Sequence, residues 1–532
     1  MVYYNNYNSE EGRELVMKKR FNITGPCISK KHYMVNIDNK IKKVQNLIDR
    51  GDYFVINRPR QYGKTTLLSQ ITKVFKEKYL AIRMSFEGIG DSVFENEEAF
   101  SNAFLTLIQE SLQFIDLEKS NELKSLKAEI KNLQMLSSAI TKFVQNTEKP
   151  VLLLIDEVDK ASNNQLFLSF LGMLRNKYIL ANDDMDYTFH SVILAGVYDV
   201  KNLKLRLRTE EEKKYNSPWN IAVDFNIDMT FNSLEIETML NDYVNEENVK
   251  MDTLAIAEKL YYYTSGYPFL VSKLSLIMDE NFKEAWIEEN IDKAVKMLLN
   301  EKNTLFDSLI KNLENNKEFK RFIEKIVLSG EEIVYVPSDS LISLGELYGF
   351  IKHENNKCKI HNRIFEQYIY NHLTAINAHK SENISSYNFR DKFLTIDNGL
   401  DFEKILLSYL KFMKEQYSNK DEKFIEHHGR LLFLAFIKPI INGVGFDFKE
   451  VQVSQEKRLD VVVTYNNHKY IVELKIWHGE EYHKAGINQL CDYLNIHSIN
   501  KGYLVVYNFN KNKEFRNEKI YVENKEIFIV YI

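Results

Sequence analysis

Two sets of residues in this chain have the types and spacing for phosphate chemistry. The first begins in RPRQYGKTT, residues 58–66, directly after an apolar run at 53–56. Gly63 permits a bend that turns successive backbone N–H groups toward one point. Lys64 supplies a charge for the outer phosphates of a nucleotide, and the Thr65 hydroxyl can ligate Mg²⁺. A helix running on from Thr66 adds the positive end of its dipole. The set is completed about 90 residues later in KPVLLLIDEVD, where an apolar strand delivers Asp156 and Glu157 to a sheet edge. There Asp156 can hold Mg²⁺ through water and Glu157 can polarise an attacking water. Either half alone occurs by accident; the two in this order and spacing point to a nucleoside triphosphatase.

The second set lies near the other end of the sequence. Asp460 opens RLDVVVTY, and Glu473 and Lys475 sit two apart in YIVELKIW. Residues i and i+2 of a strand project to one face, so Glu473 and Lys475 point together, and hairpin pairing can bring Asp460 beside them. Two converging carboxylates make a hard oxygen site for Mg²⁺ or Mn²⁺. An adjacent lysine can orient water and stabilise charge developing on a scissile phosphate. The plainer alternative is a hairpin carrying surface charges. Val472, Leu474 and Ile476 flank these residues, however, and charges without a task would be costly in a strand covered on both faces.

The elements that position the first set read as α/β. Helical spacing over 30–51 stops at Gly51, strands are expected at 53–56, 80–86, 151–155 and 190–200, and a long helical region fills 97–146. Tyr33 and Met34, in the entry segment, could border the base. The strand at 190–200 brings Asp199 to the edge as a sensor of the terminal phosphate, and Arg206 or Arg208 just beyond it could neutralise phosphate charge. From Ser233, read as a helix N-cap, the chain turns helical, and Gly266 and Pro268 punctuate a further helix start. Residues 304–373 read as a winged helix, with a hairpin over 349–360 turning at ENNK. Its recognition segment SDSLISLGELY has acids and no Arg or Lys, which favours an internal role over DNA binding. The polar stretch 379–388 is a linker. Two helices (401–415 and 421–438), three strands (444–453, 458–464 and 469–476), a helix at 482–494 and the strand GYLVVYNF then carry the second set.

Composition limits the partners. At 532 residues the chain exceeds one core. Lys and Arg number 70 against 75 Asp and Glu, a net charge of -5 that argues against a uniformly basic coat while leaving room for a local basic groove. The three cysteines, Cys27, Cys358 and Cys491, form no CxxC pair and suggest neither zinc nor a redox centre. The first 20 residues are polar and the run 151–155 is far too short to span a bilayer, so a cytoplasmic location without a membrane partner is expected.

RPRQYGKTT, LLLIDEVD and ILAGVYDV resemble the AAA-like ATPase domains of bacterial proteins related to the STAND group. The resemblance spans about residues 20–375 and implies a P-loop parallel sheet with a helical lid and a winged helix. In that group an arginine commonly replaces the first loop glycine, as Arg58 does here. It implies that Arg58, Gly63, Lys64, Thr65, Thr66 and Asp156 bind ATP or ADP, with Thr65 and Asp156 on the metal and Glu157 catalytic. Its glycine-x-proline turn implies that Pro268 packs on the adenine. KIHNRIF is similar to the group's methionine-histidine-aspartate motif, so His361 is expected to reach the β-phosphate of ADP, with Asn362 in place of the aspartate.

Residues 398–532 resemble the PD-(D/E)XK nuclease superfamily, a restriction-endonuclease-like α/β domain. By position, Asp460 and Glu473 become metal ligands, Lys475 the catalytic lysine, Gln489 the glutamine of the later helix, and Tyr493 its neighbour one turn on. Glu426, in EKFIEHHGRLLF, matches the early acid that completes the metal shell; Leu459 stands where the signature has proline. The implied organisation is an ATPase core at 1–232, a lid at 233–300, a winged-helix-like region at 301–378, a linker at 379–397 and the nuclease-like domain beyond. The expected function is an ATP-controlled, Mg²⁺-dependent nuclease acting on nucleic acid, DNA ahead of RNA, with phage defence and homo-oligomer formation as further expectations. A second reading is a nucleotide-dependent signalling switch whose nuclease-like domain only binds. A third is an ATP-driven translocase.

Overall fold

A computed structural model describes residues 18–127, 129–161, 165–197, 219–329, 333–380, 392–397, 399–416, 429, 432–437, 440–441, 445–448, 461–465, 468–496, 498–509 and 514–532. These residues form two compact units. The first comprises the chain to Leu309 with Ser338–Ile351 and His361–Arg363; the second comprises Ile310–Pro337, Lys352–Ile360 and Ile364–Ile532.

The first unit is built on four parallel strands, β1 (Phe54–Asn57), β2 (Leu80–Ser85), β3 (Val151–Asp156) and β4 (Ser191–Gly196), in the order β1-β4-β3-β2. Every residue of β3 and β4 is buried. That is why both read as unbroken apolar runs, the pattern of a parallel strand covered on both faces. The order sets β4 between the loop strand β1 and the acid-bearing β3. Pairing of Asn57 with Gly196 and of Ile155 with Leu194 brings the C-terminal ends of all three to one edge. Beyond β1, Val223 makes a parallel bridge to Phe54, its N–H donating to the Tyr53 carbonyl at 2.8 Å.

Around this sheet, several predicted boundaries move. The entry helix is Asp38–Asp49, and Gly51 does turn the chain, at φ +73°. The long helical region divides into Glu97–Leu112, Leu117–Lys127 and Leu133–Gln145. Asn96 and Asn132 start the first and third by accepting from the N–H groups of Ala99 and Met135. Such caps let the same apolar spacing resume after a break. Phe100 and Phe104 from this region join Phe167 and Phe170 in the core.

The segment read from sequence as a lid, 233–300, forms helices Ser233–Glu247, Thr253–Thr264, Pro268–Asn281 and Glu288–Leu299. Its first cap is Asn232 and not Ser233: the Asn232 side chain accepts from Glu235 N–H, and the Glu235 carboxylate accepts from Asn232 N–H. This reciprocal pair satisfies two helix-end donors at once. Gly266, at φ +71°, lies so close to Phe231 that an added Cβ would stand 1.8 Å from the Phe231 carbonyl oxygen. Gly266→Ala should therefore cost at least about 2 kcal/mol through backbone strain and steric overlap. A denaturant midpoint equal to wild type would contradict this packing.

Within the region predicted as a winged helix, β5 (Ile333–Val334), β6 (Ile351–Glu354) and β7 (Lys357–Ile360) form a small sheet in the order β5-β7-β6. Asn355 and Asn356 turn the hairpin at φ +50° and +61°, the left-handed geometry that a two-residue hairpin turn requires.

The second unit centres on a six-stranded mixed sheet, β12-β13-β11-β10-β9-β8. Its members are β8 (Gly445–Phe448), β9 (Val461–Tyr465), β10 (His468–Ile476), β11 (Lys501–Tyr507), β12 (Arg516–Val522) and β13 (Lys525–Tyr531). β10 pairs antiparallel with β9 and parallel with β11, and β13 inserts between β11 and β12. Helix Glu480–Ile496 packs on the sheet, and a Cβ on Gly502 would stand 2.7 Å from Leu494 Cδ1. The strands β12 and β13 were not anticipated from sequence.

Also in this unit, Glu403 and Glu526 share two lysines. Lys501 lies 2.9 Å from Glu526, and Lys519 lies 2.9 Å from Glu403 and 3.2 Å from Glu526. Lys501 foremost, with Lys519 and Tyr521, draws the Glu526 carboxyl down from 4.5 to about 2. A depressed carboxyl stabilises the fold above its unfolded value, and the contribution is lost as pH falls toward about 2. Glu526→Gln should lower the melting temperature modestly at neutral pH, since partly exposed pairs are solvent-screened, and the difference should vanish near pH 2.

Candidate functional site

The phosphate loop leaves β1 at Asn57 and returns as the helix Lys64–Phe75, with Gly63 at its N-cap in the left-handed region, φ +82°. Gln61 is also left-handed, at φ +56°. Lys64 is buried, and its ammonium donates to the Arg58 and Pro59 carbonyls at 2.9 Å each. Burial pushes the Lys64 pKa down, while Asp159, Glu157 and Asp156, in that order, hold it up. Thr65 is the second residue of the helix and half-buried. The Thr66 hydroxyl accepts from Cys27 N–H at 3.1 Å, tying the helix start to the entry segment.

The Arg58 side chain is engaged by backbone carbonyls. Its guanidinium donates to the Phe225 and Ile227 carbonyls at 2.9 and 3.1 Å and lies 5.4 Å from the Phe225 ring centre. The side chain thus fastens the segment after Val223 to the loop strand. What Arg58 gives the lysine is its backbone carbonyl.

Opposite the loop, Asp156 ends β3 almost fully buried, with Arg83 of β2 at 4.0 Å. Glu157 adopts φ +54°, and its N–H donates to Asp156 Oδ1 at 3.1 Å. Burial pushes the Glu157 carboxyl up, and the Lys64 charge opposes that shift. The predicted sensor Asp199 and the arginines Arg206 and Arg208 lie outside the described residues. Two participants escaped the sequence reading. Asp159, the third acid of LLLIDEVD, accepts from Val197 N–H through both oxygens, each at 2.8 Å. Tyr62, inside the loop, is the second.

A cavity of about 390 Å³ opens beside the loop. Tyr33, Met34 and Pro268, the residues expected around a nucleotide base, line it together with Gly63 and Thr66 of the loop. Pro268 occupies the first turn of its helix, and its ring lies 4.0 Å from where a Cβ on Gly63 would stand. His361 is buried and reaches Tyr62: its Nε2 lies 2.9 Å from the Tyr62 hydroxyl. Tyr267, immediately before Pro268, packs edge-on against both rings and donates to the Arg60 carbonyl at 2.5 Å. The histidine is therefore linked to the loop through a tyrosine.

In the second unit, Glu473 of β10 has 0% exposure, and its carboxylate lies 2.8 Å from Lys475 Nζ. Lys475 also donates to Gln489 Oε1 at 3.2 Å, and its stem crosses Gly486, where an added Cβ would be 3.5 Å away. Tyr493 is buried one turn beyond Gln489 on the same helix. Glu473, Lys475 and Gln489 thus come together, the first two on one strand face and the third from the following helix. The last pair of the β9–β10 register is Val461 with Val472, the residues adjoining Asp460 and Glu473 in sequence. Asp460 and Glu426 lie outside the described residues. Among the described residues, no group of three or more His, Cys, Asp or Glu side chains could hold a metal. Glu473 supplies one hard oxygen donor of the kind that Mg²⁺ and Mn²⁺ prefer, and Thr65, Asp156 and Glu157 supply such donors at the loop.

A family model described as AAA-like domain matches residues 27–371, and one described as PD-(D/E)XK nuclease superfamily matches residues 442–519. No curated protein matches the chain. Among solved structures, a Walker-type ATPase of Pyrococcus abyssi is similar at 13% identity and TM-score 0.45, covering 66% of this chain and 99% of its own. The Aeropyrum pernix ORC2 protein, solved as ADPNP-ADP complexes, follows at 13% identity and TM-score 0.34, covering 64% and 93%. The Thermotoga maritima RuvB Holliday junction branch migration motor gives 12% identity and TM-score 0.31, covering 61% and 92%. Among the described residues, no helix is long and apolar enough to cross a membrane.

Proposed function

Since the chain belongs to the AAA-like domain family and carries a PD-(D/E)XK nuclease superfamily domain, we propose that it is an ATP-controlled, metal-dependent nuclease whose substrate is DNA. The observation that carries this reading is the buried Glu473 carboxylate held 2.8 Å from Lys475, itself bonded to Gln489. A carboxylate buried with a lysine for partner contributes little net stability against apolar packing, so a working role for it is the more economical account. Mg²⁺ or Mn²⁺, when bound, supplies Lewis-acid stabilisation of the phosphoryl oxygens and a more acidic water. Glu473, with Asp460 and Glu426, holds that ion. Lys475 balances charge building on the scissile phosphate and directs the attacking water, while Gln489 fixes the lysine.

In the ATPase unit, the loop N–H groups and Lys64 cradle the phosphates, Thr65 and Asp156 hold the metal, and Glu157 orients water. Tyr33, Met34 and Pro268 enclose the base. His361 acts on the loop through Tyr62 rather than reaching the β-phosphate itself. The winged-helix-like region 301–378 links this nucleotide state to the cutting domain, in a protein acting against phage or other mobile DNA.

The Tyr62–His361 bond favours one further reading, a nucleotide-dependent switch whose nuclease-like domain only binds DNA or a partner. Cleavage of linear and supercoiled DNA and of RNA, measured with Mg²⁺ in the presence of ATP, ADP or no nucleotide, separates the two. Metal-dependent cutting whose rate changes with the nucleotide supports the nuclease. Binding without cutting under every condition supports the switch.

A further inference from the structure

The clamp between Asp159 and Val197 belongs to a longer bonded line. Val197 is the first residue after β4, and its N–H donates to both Asp159 oxygens at 2.8 Å. One residue earlier, the Gly196 carbonyl accepts from Arg58 N–H, the entrance to the phosphate loop, at 3.2 Å. The Arg58 carbonyl in turn accepts from Lys64 at 2.9 Å. The end of β4 is thus fixed on one side to the turn after β3 and on the other to the loop. Of the surrounding carboxylates, Asp159 also acts most strongly on the Lys64 charge.

Two features show how closely the parts are fitted. A Cβ on Gly196 would stand 2.3 Å from Asp159 Oδ1 and 2.9 Å from Val158 Cγ2, so only glycine lets the carboxylate reach the Val197 amide. The turn that carries Asp159 begins at Glu157 in left-handed backbone, a conformation a glutamate keeps only when its surroundings enforce it.

We infer that Asp159 is a positioning residue of the ATPase site, holding the end of β4 between the acid turn and the phosphate loop so that Glu157 and Lys64 face each other across a fixed gap. The inference rests on the reading of Lys64, Asp156 and Glu157 as a nucleotide site. It assigns Asp159 no contact with substrate: its effect runs through the Val197 amide and the Gly196 carbonyl.

The test compares wild type with Asp159→Ala and Asp159→Asn in the full chain. Three quantities are read: residue-resolved hydrogen exchange at the Val197 amide, ADP affinity by calorimetry, and ATP turnover. Loss of a hydrogen bond to a charged acceptor should speed Val197 exchange by at least about 10-fold in Asp159→Ala. Turnover should fall by a similar factor with ADP affinity held within about 3-fold, because displaced groups misalign the reacting atoms more than they weaken ground-state binding. Asp159→Asn, which keeps an oxygen acceptor, should lie between the two in both exchange and turnover. Unchanged Val197 exchange in Asp159→Ala overturns the clamp, and fast exchange with unchanged turnover overturns its positioning role. A wild-type chain that binds no ADP would instead remove the nucleotide-site reading, while exchange at Val197 would still decide whether the clamp exists.

Discussion

Glu473→Ala should reduce metal-dependent cleavage of nucleic acid by at least about 10³-fold, to background, because it removes the carboxylate proposed to hold the metal and the anion beside Lys475. The carboxylate is fully buried and 2.8 Å from the lysine. Breaking such a pair leaves a charge without its counter-ion and costs about 3–5 kcal/mol when both partners are buried; Lys475 is partly exposed, so the cost here should be smaller. Lost cutting must therefore be separated from lost folding. Glu473→Gln keeps the volume and one oxygen while removing the charge, so it should lose less stability than Glu473→Ala and stay folded, yet remain inactive. Lys475→Ala should also abolish cutting while sparing DNA affinity to within about 10-fold, since it leaves the rest of the binding surface intact. Wild-type cleavage by well-folded Glu473→Gln would eliminate the proposed role of this pair.

Lys64→Ala should weaken ATP and ADP binding by roughly 100-fold, about what hydrogen bonds from a charged donor to phosphate oxygens contribute. Turnover should fall below detection. Lys64 is buried and spans the loop by donating to the Arg58 and Pro59 carbonyls. Its removal takes away both the charge and the strut between those carbonyls and the helix start. If nucleotide controls the nuclease, the same substitution should make DNA cleavage identical with ATP, ADP and no nucleotide, whether fixed on or fixed off. An ATP-driven translocase would in addition show turnover stimulated by DNA in the wild type. Calorimetry for binding and a paired cleavage assay check both parts.

What could be read in advance follows the range over which each feature is determined. Val151–Asp156 and Ser191–Gly196 are buried on both faces, and the local run of apolar side chains records that directly. Gly63 and the Asn355–Asn356 turn likewise needed only their neighbours. Glu473 and Lys475 meet because strand periodicity acts over two residues, whereas Gln489, 14 residues on in the next helix, was named only through the family resemblance.

Features that depend on distant partners did not show. Arg58 is engaged by carbonyls 167 and 169 residues away, and Asp159 by an amide 38 residues away. The bond between Tyr62 and His361 crosses 299 residues, so no local pattern could reveal that the histidine meets a side chain of the loop. The breaks in the 97–146 region escaped notice because the middle helix, Leu117–Lys127, is mostly polar and buries only Leu123 of its apolar side chains, so its ends carry no clear apolar signal. Strand β12 failed for another reason: it has no fully buried residue, and its apolar positions are too few to stand out.

Strand β13 has a consequence for how the protein is made. Residues Lys525–Tyr531 lie inside the sheet, parallel to β11 on one side and antiparallel to β12 on the other. A ribosome must therefore deliver residue 531 before the sheet that displays Glu473 and Lys475 can close. By then the whole of residues 27–371 has long been free to fold, as domains do during synthesis at about 5–20 residues per second. Any message read short of β13 would yield a nucleotide-binding unit joined to an unfinished blade. Vectorial synthesis thus puts the AAA-like unit in place before the nuclease-superfamily sheet exists.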